Sequence, residues 1–456
     1  MKSDMTKGGI RAHLVRFAVP LILGNIFQLT YNAVDSIIVG EFVGNQAQAA
    51  IGISAPLMNV IIFFIVGICN GTSVLMSEYF GAGDHRKFRR EVSTAMIVGI
   101  VFALCIAFAT CIFVRPVLRL IRTPDEIMDI TAGYLRIVCA GLVFTFLYNI
   151  YAATLRSIGD ARTPIFFLIF SSMLNVALDL VFVVGLKAGV YGAALATVIS
   201  QGISSILCMI YIRRFVPLLS ISRGEMTVDR ALLKDTIHYS WSTGMQKITL
   251  NVGKVLVQSC VNPLGVDTIA AFNAVTRVDD FVFQPEQSIG SAMTTFAAQN
   301  RGAGNQERVE KSLKTGMLME AVYWLFIGTL IYLVSTPVMH LFVSDAENAV
   351  VGLGSDYLKT MAFFYLLPAM TNGLQGYIRG WGRMNVCLMA TFLQIVGRVT
   401  SAYILVPGLG LEGIAYSCLI GWIVMLAYEV PYYLWLRGKL NCRKSLPADA
   451  VWKERM

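Results

Sequence analysis

Acidic and amide side chains lie inside stretches of this sequence that are otherwise apolar. Asp35 is in the second half of the apolar run 17–40, and Gln28, Tyr31 and Asp35 follow the spacing i, i+3 and i+7. On an α-helix these three positions share one face. A carboxylate near the middle of a membrane costs roughly 2.5–3.5 kcal/mol, so it usually marks a path for ions or substrate. The alternative is that Asp35 lies near a helix end and reaches interfacial water.

A second polar group occurs further along the chain. Asn175 and Asp179 are four residues apart in one apolar run, Thr197 is in the next run, and Asn149 is in the preceding one. With Asp35 they supply two carboxylates, amide oxygens and a hydroxyl. Such a set suits a hard cation, or a proton shared by two carboxylates that titrate as a unit. The alternative is that Asn175 and Asp179 only join helices through hydrogen bonds.

The composition is that of a polytopic membrane protein. The chain has 456 residues, of which 56% are hydrophobic and 14% charged, whereas soluble domains carry roughly 25% charged residues. The nine cysteines and four histidines show no metal-ligand spacing and no nucleophilic triad. Basic residues are concentrated in the loops, which indicates membrane topology and not nucleic-acid binding. We expect no enzyme activity and no metal beyond a possible Na⁺.

Hydropathy predicts twelve membrane-spanning helices and therefore an all-α fold. Most of the Lys and Arg residues flank the ends on one side, which predicts that both termini are cytoplasmic. The predicted spans lie near 12–39, 46–77, 90–118, 128–155, 162–185, 189–212, 236–261, 266–298, 312–343, 353–378, 384–406 and 411–436.

The two halves of the chain resemble each other. FGAGD at 80–84 matches RGAGN at 301–305 with an offset of 221 residues, and LRSIGD at 155–160 matches IRGWGR at 378–383 with an offset of 223. Six spans per repeat make the repeats parallel, so we expect two lobes, 1–222 and 223–456, related by a pseudo-two-fold axis along the membrane normal. This architecture commonly has a transport site between its lobes. The loop glycines suit tight turns, and nucleotide binding is not expected.

The twelve spans, the two lobes and the FGAGD and RGAGN loops resemble those of the multidrug and toxic compound extrusion (MATE) transporters, and most closely those of the DinF-like branch. The resemblance covers nearly the whole chain. It implies alternating-access export driven by entry of Na⁺ or H⁺. It also implies that the ion-coupling site comprises Asp35, Asn175, Asp179 and Thr197.

The same resemblance assigns roles to four other residues of the first lobe. Gln28, Tyr31 and Asn149 match polar residues that line the cavity of the family. Pro20 matches a proline that bends the first helix during transport.

The second lobe departs from the family. Some branches bind Na⁺ there through a glutamate in span seven and an aspartate in span ten, and neither acid is present here. The charged residues in its spans predict a cavity suited to a substrate with an anionic or polar group. Internal salt bridges, for example Arg277 with Asp280, are the alternative. The predicted second-lobe cavity residues are Lys254, Arg277, Asp280, Glu286 and Arg398.

These observations predict a secondary active exporter of small organic compounds in the cytoplasmic membrane. We expect a monomer whose partners are its substrate and the lipid bilayer, with no cofactor apart from Na⁺ or H⁺ as the coupling ion. A flippase of lipid-linked saccharides from the same superfamily is the alternative function. Such relatives often have fourteen spans, which makes the span count informative.

Overall fold

The computed structural model describes residues 4–43, 45–220, 223–342 and 348–444. Within these ranges the side chains of 32–41, 45–48, 223 and 441–444 are not described. The described residues form α-helices, short 3₁₀ and π turns and loops, and contain no β-strand. The all-α fold is therefore confirmed. A helix is the expected form in lipid, because each backbone polar group must find its partner within the protein.

Fourteen α-helices occur in the described ranges. In two places a pair of consecutive helices follows one another across a short break, and counting each pair as one unit gives twelve. The first pair bends by 40° at Gly141, where a Cβ would overlap the side chain of Val198. The second pair breaks at Tyr365, just before Pro368, which lacks the N–H that would continue the preceding helix. The helices are α1 (Ile10–Phe42), α2 (Asn45–Gly81), α3 (His85–Leu120), α4 (Asp125–Ala140), α5 (Leu142–Ser157), α6 (Arg162–Asp179), α7 (Gly189–Phe215), α8 (Arg230–Val261), α9 (Val266–Gly302), α10 (Gln306–His340), α11 (Asn348–Phe364), α12 (Leu366–Gly380), α13 (Met384–Leu409) and α14 (Leu411–Lys444).

Each of the twelve predicted spans coincides with one helix or one broken pair. Eight helices of the described chain are long and apolar enough to cross a membrane, and the α4–α5 pair makes a ninth. The remaining spans are α8, α9 and the α11–α12 pair, all in the second half. Helix α8 carries two lysines after residue 245, and α9 carries four charged residues between 277 and 286. The chain is a multi-pass membrane protein whose second half is the more polar.

The helices form two lobes with separate hydrophobic cores. One core is built from α2, α3, α4, α5 and α7, and the other from α8 to α14. The lobes meet mainly where α2 packs against α8 and α9, and where α1 packs against α9. The predicted boundary at 222/223 falls at residues 221–222, which lie outside the described residues, so that boundary stays a prediction.

The matched glycine loops end one helix and start the next. Gly83 and Gly304 adopt φ values of +71° and +73°, a backbone region that glycine enters without steric cost. The following side chains then accept hydrogen bonds from the first turn of the next helix: Asp84 from the backbone N–H of Lys87 (2.9 Å) and Asn305 from that of Arg308 (3.4 Å). The loops therefore act as helix caps.

The first glycine of each loop has a different role. A Cβ on Gly81 would overlap the carbonyl of Gln299, and a Cβ on Gly302 would overlap the carbonyl of Glu78. These two contacts exchange under the 221-residue offset of the repeat. Arg301 adds an ion pair with Glu78. The ends of α2 and α9 thus meet in a contact that has the pseudo-two-fold symmetry predicted from the sequence.

The segment before α1 covers this same contact. Met5 is 1% exposed, and its backbone N–H donates to the side-chain oxygen of Gln299 (3.2 Å). Its carbonyl accepts hydrogen bonds from Asn300 (3.2 Å) and Arg308 (3.0 Å). The two lobes are therefore joined at the end of the molecule that carries the glycine loops.

The connection between the lobes is held against the start of α3. Arg89 pairs with Glu225 (2.9 Å) and Arg90 with Asp229 (3.0 Å). Asp229 also accepts from the backbone N–H of Ala231 (3.0 Å) at the start of α8. This hydrogen bond and the Arg90 guanidinium lower the pKa of the Asp229 carboxyl. The basic run 85–90 thus orients the polypeptide that enters the second lobe.

Candidate functional site

The polar residues of the first lobe meet where α1, α6 and α7 pack together. The hydroxyl of Tyr31 on α1 contacts the side-chain amide of Asn175 on α6. With the Asn175 amide oriented to satisfy its neighbours, its oxygen accepts from the backbone N–H of Thr197 (3.1 Å) and its nitrogen donates to Asp179 (3.2 Å). Asn175 and Asp179 are 2% and 0% exposed. A buried carboxylate, an amide and a phenol therefore form one continuous group, which we call the first-lobe cluster.

The backbone changes its winding directly after Asp179. Residues 180–185 form a π turn, in which the backbone N–H of Leu186 donates to the carbonyl of Val181 (2.9 Å). Such turns are rare and frequently mark functional sites. The apolar sequence LVFVVG gives no sign of this turn, so only the structure shows that Asp179 is the last residue of a regular helix.

The structure does not place the other predicted residues of the first lobe in the first-lobe cluster. The side chain of Asp35 lies outside the described residues, and its role stays a prediction. Gln28 is half-buried on α1. The amide nitrogen of Asn149 donates to the carbonyl of Thr145 (2.8 Å) in its own helix, so the structure does not join it to the first-lobe cluster. The helical backbone of α1 continues through Pro20.

In the second lobe, two hydroxyl side chains and one cationic side chain lie around Asp279 on α9. One carboxylate oxygen accepts from the hydroxyl of Tyr365 (2.6 Å), and the other from that of Tyr357 (3.3 Å). Arg398 on α13 is close enough to interact electrostatically with this carboxylate and with Cys418 on α14. Both tyrosines are at most 1% exposed. Two hydroxyls therefore stabilise the Asp279 carboxylate through hydrogen bonds, and the Arg398 guanidinium lies within electrostatic range of it.

The remaining predicted cavity residues of the second lobe have different surroundings. Lys254 pairs with Asp280 (2.9 Å), and about half of each side chain is exposed. Asp280 therefore bonds across helices and not with Arg277 on its own helix. Arg277 is exposed, whereas Glu286 is completely buried. The structure does not join these four residues into one site.

A network of neutral side chains links α8, α12 and α13 in the interior of the second lobe. The amide nitrogen of Gln246 donates to Gln375 and to Thr391 (both 2.9 Å). Arg379 also donates to Gln375 (3.3 Å) and is close enough to interact with Glu429 on α14. This network fixes three helices to one another and places the half-buried Arg379 near the buried Glu429.

Sequence reasoning missed several of these residues. Asp279, Glu320 and Glu429 are ionisable residues inside predicted spans, and that property alone marks a candidate site. Tyr357 and Tyr365 gave no such signal, because aromatic residues are common in membrane helices. Their function as hydrogen-bond donors depends on the break between α11 and α12.

Comparison with known proteins identifies the family of the chain. The MatE family model matches residues 20–181 and 243–404, one segment in each lobe. The chain is 29% identical over 441 residues to the probable multidrug resistance protein YpnP of Bacillus subtilis, covering 96% of this chain and 97% of that protein. It is 28% identical over 437 residues to YoeA of the same organism, also named a probable multidrug resistance protein, covering 93% of this chain and 94% of that one.

The fold also has a close counterpart among solved structures. A MOP superfamily transporter from Pyrococcus furiosus superposes with a TM-score of 0.87 at 23% sequence identity, covering 97% of this chain and 98% of that one. At this level of identity the likeness establishes the fold. The predicted two-lobe, twelve-span architecture is confirmed by it.

Proposed function

Because the chain belongs to the MatE family, we propose that it is a secondary active exporter of small organic compounds, driven by entry of Na⁺ or H⁺. Its relatives YpnP and YoeA are named as probable multidrug resistance proteins, and the match to both extends over nearly the whole chain. The proposal includes no chemical conversion of the substrate and no organic cofactor. Membership of the DinF-like branch stays a prediction.

The observation that carries the coupling part of this proposal is the first-lobe cluster. Tyr31 on α1 contacts Asn175, which in turn bonds to the buried Asp179. A coupling ion shifts a conformational equilibrium only through its different affinities for the two states. We propose that Na⁺ or H⁺ binds at Asp35, Asn175, Asp179 and Thr197 and stabilises one position of α1 against α6. Pro20 removes one backbone hydrogen bond from α1, which lowers the free energy needed to bend the helix at that point.

Substrate binding is proposed between the lobes, with residues 1–222 and 223–456 moving against each other. Gln28, Tyr31 and Asn149 would line the first-lobe side of the cavity. Lys254, Arg277, Asp280 and Arg398 would lie on the second-lobe side, whereas the predicted cavity residue Glu286 is completely buried in this structure. Since Lys254 and Arg398 already face acids of the same lobe, Arg277 is the one of these three cations best suited to meet an anionic group of a substrate.

The proposed setting is the cytoplasmic membrane, with a monomer whose termini are both cytoplasmic. The excess of basic residues on one side supports this orientation. Gly224, in the exposed connection between the lobes, would then face the cytoplasm. Asp345, which lies outside the described residues, would face the opposite side. Single cysteines at these positions on a cysteine-depleted background should react with an impermeant thiol reagent from opposite sides. Reaction of both from outside would contradict the six-plus-six topology.

The function is tested by transport in inverted membrane vesicles. A panel of fluorescent organic compounds is offered while a Na⁺ gradient or a pH gradient is imposed separately. Uptake into the vesicles with one of the two gradients, and its absence with empty-vector membranes, is the expected result. Uptake that proceeds equally without any gradient would contradict secondary active transport.

A further inference from the structure

Two glutamates of the second lobe lie together in a completely enclosed place. Glu286 on α9 is 0% exposed and Glu320 on α10 is 1% exposed, and these two helices pack against each other. The Cγ atom of Glu320 lies 3.8 Å from the position that a Cβ on Gly373 would occupy in α12. The neighbouring Asn372 is within interaction range of Glu286. Both glutamates therefore lie at the junction of α9, α10 and α12, within electrostatic range of each other.

Neither carboxylate is satisfied by a hydrogen bond. All four oxygens lack a partner within hydrogen-bond distance in the part of the chain that the structure describes. The nearest phenol, that of Tyr323, donates its proton to the carbonyl of Val282 (2.8 Å). The amide nitrogen of Asn372 donates one hydrogen to the carbonyl of Pro368 (2.9 Å), and its second hydrogen is, among the described residues, the one neutral donor near Glu286 that these contacts leave over. Buried carboxylates are normally paired or hydrogen-bonded, so these two require an explanation.

The cations of the second lobe are directed elsewhere. Lys254 pairs with Asp280, and Arg398 faces Asp279. Among the described residues, the titratable groups that interact with Glu286 or Glu320 are Asp279, Tyr323 and Tyr365, besides the two glutamates themselves. None of these is a cation.

Two ionised carboxylates in such an enclosure would repel each other without any compensating charge. Like-charged carboxylates that share a site hold one proton between them as a pair. A hard metal cation in a dry site would need several further oxygen ligands, and the described residues contain no group of three or more His, Cys, Asp or Glu side chains that could hold a metal ion. We propose that Glu286 and Glu320 form a proton-binding site in the second lobe, separate from the first-lobe cluster.

This site is positioned to sense the contact between the lobes. Glu286 follows Pro285 within α9, and two residues later Ser288 accepts a hydrogen bond from Asn25 on α1 (3.1 Å). Loss of the proton would leave a negative charge on a carboxylate of α9, close to this contact. A part in transport rests on the proposed function, whereas the proton site itself does not depend on it.

The first test is infrared difference spectroscopy of the purified full-length protein in lipid nanodiscs at about pH 7, where an ordinary glutamate is ionised. The difference spectrum, obtained by subtracting that of the double variant Glu286→Gln/Glu320→Gln from that of the wild type, should show the carbonyl band of a protonated carboxylic acid. The matched control Glu412→Gln, which removes an exposed acid at the start of α14, should show none. Identical spectra for wild type and double variant would overturn the proposal. Removal of the band by added Na⁺ at constant pH would also overturn it, because the site would then take Na⁺.

A second test uses only the wild-type protein and so does not depend on the folding of a variant. An apolar carbodiimide adds to protonated carboxylic acids, and mass spectrometry locates the adduct. Glu286 or Glu320 should be modified at about pH 7, and Glu412 should not. Absence of an adduct from both buried glutamates would contradict the proposal. Neither test measures export, so the site and the proposed function can fail independently.

Discussion

The two lobes place different chemistry at matching helix positions. At offsets of 223 and 221 residues, positions 175, 179 and 197 of the first lobe correspond to 398, 402 and 418 of the second. The first set is Asn175, Asp179 and Thr197, and the second is Arg398, Ala402 and Cys418. The second lobe therefore has a methyl group where the first has a carboxylate, and a guanidinium where the first has an amide.

The acid of the second lobe comes from another helix and already has hydrogen-bond partners within the protein. Asp279 accepts hydrogen bonds from Tyr357 and Tyr365 and faces Arg398. In the first-lobe cluster, Asp179 is joined to a neutral amide and through it to a phenol. The difference is that Asp279 has fixed hydrogen-bond donors and a nearby guanidinium, whereas Asp179 is joined to neutral groups among the described residues. The arrangement around Asp279 stabilises one structure, whereas the first-lobe cluster suits an ion that binds and leaves.

The largest effect is expected from the predicted partner of Asp179. Asp35→Asn should abolish gradient-driven export while leaving the protein in the membrane, because the proposed ion site then has half of its negative charge. The double variant Asp35→Asn/Asp179→Asn should be no worse than either single variant, since residues that act as one unit are not additive. Export is measured in inverted vesicles at matched protein content. Additive partial losses would show that the two carboxylates work separately.

A large effect on stability, with coupling retained, is expected at Arg398. Arg398→Ala removes the guanidinium that acts electrostatically on the partly buried Asp279, and the cost of breaking a fully buried ion pair from one side, about 3–5 kcal/mol, is the upper bound for the loss. The double variant Arg398→Ala/Asp279→Asn should recover most of this loss. Thermal unfolding in detergent gives the comparison. If the single variant is as stable as the wild type and only the range of exported compounds changes, Arg398 faces substrate and not Asp279.

The smallest effect is expected at Tyr31. Tyr31→Phe removes one hydroxyl from the first-lobe cluster, and such a hydrogen bond contributes about 1 kcal/mol. The ion concentration for half-maximal export should therefore rise about five-fold, with the maximal rate nearly unchanged. Tyr332→Phe, on the exposed face of α10, is the matched control and should change neither value. An unchanged ion requirement in Tyr31→Phe would remove this residue from the coupling site.

Much of the fold was predictable from the sequence because long apolar runs and loop charges determine spans and topology. The loop glycines show where that reasoning ends. A positive φ at Gly83 and Gly304 follows from turn chemistry. The contact of Gly81 with Gln299 does not, because it depends on how two distant helices cross.

The candidate site was predictable to a similar extent. The spacing of Asn175 and Asp179 predicts one helix face, and their contact with Tyr31 agrees with a stripe on the first span. The partners of charged residues were harder to predict, since spacing along one helix suggested Arg277 for Asp280. The structure pairs Asp280 with Lys254 of another helix. Sequence reveals which residues need a partner, and tertiary packing decides which partner they obtain.

The most direct test of the difference between the lobes compares one acid from each. Asp179→Asn and Asp279→Asn each replace one carboxylate inside a lobe by an amide, and export of one compound is measured in inverted vesicles under an imposed Na⁺ or pH gradient. Protein content and substrate binding without a gradient are matched between the two variants. Loss of gradient-driven export in Asp179→Asn, with its retention in Asp279→Asn, is the predicted result. Export at the wild-type rate in Asp179→Asn would contradict the assignment of ion coupling to the first lobe.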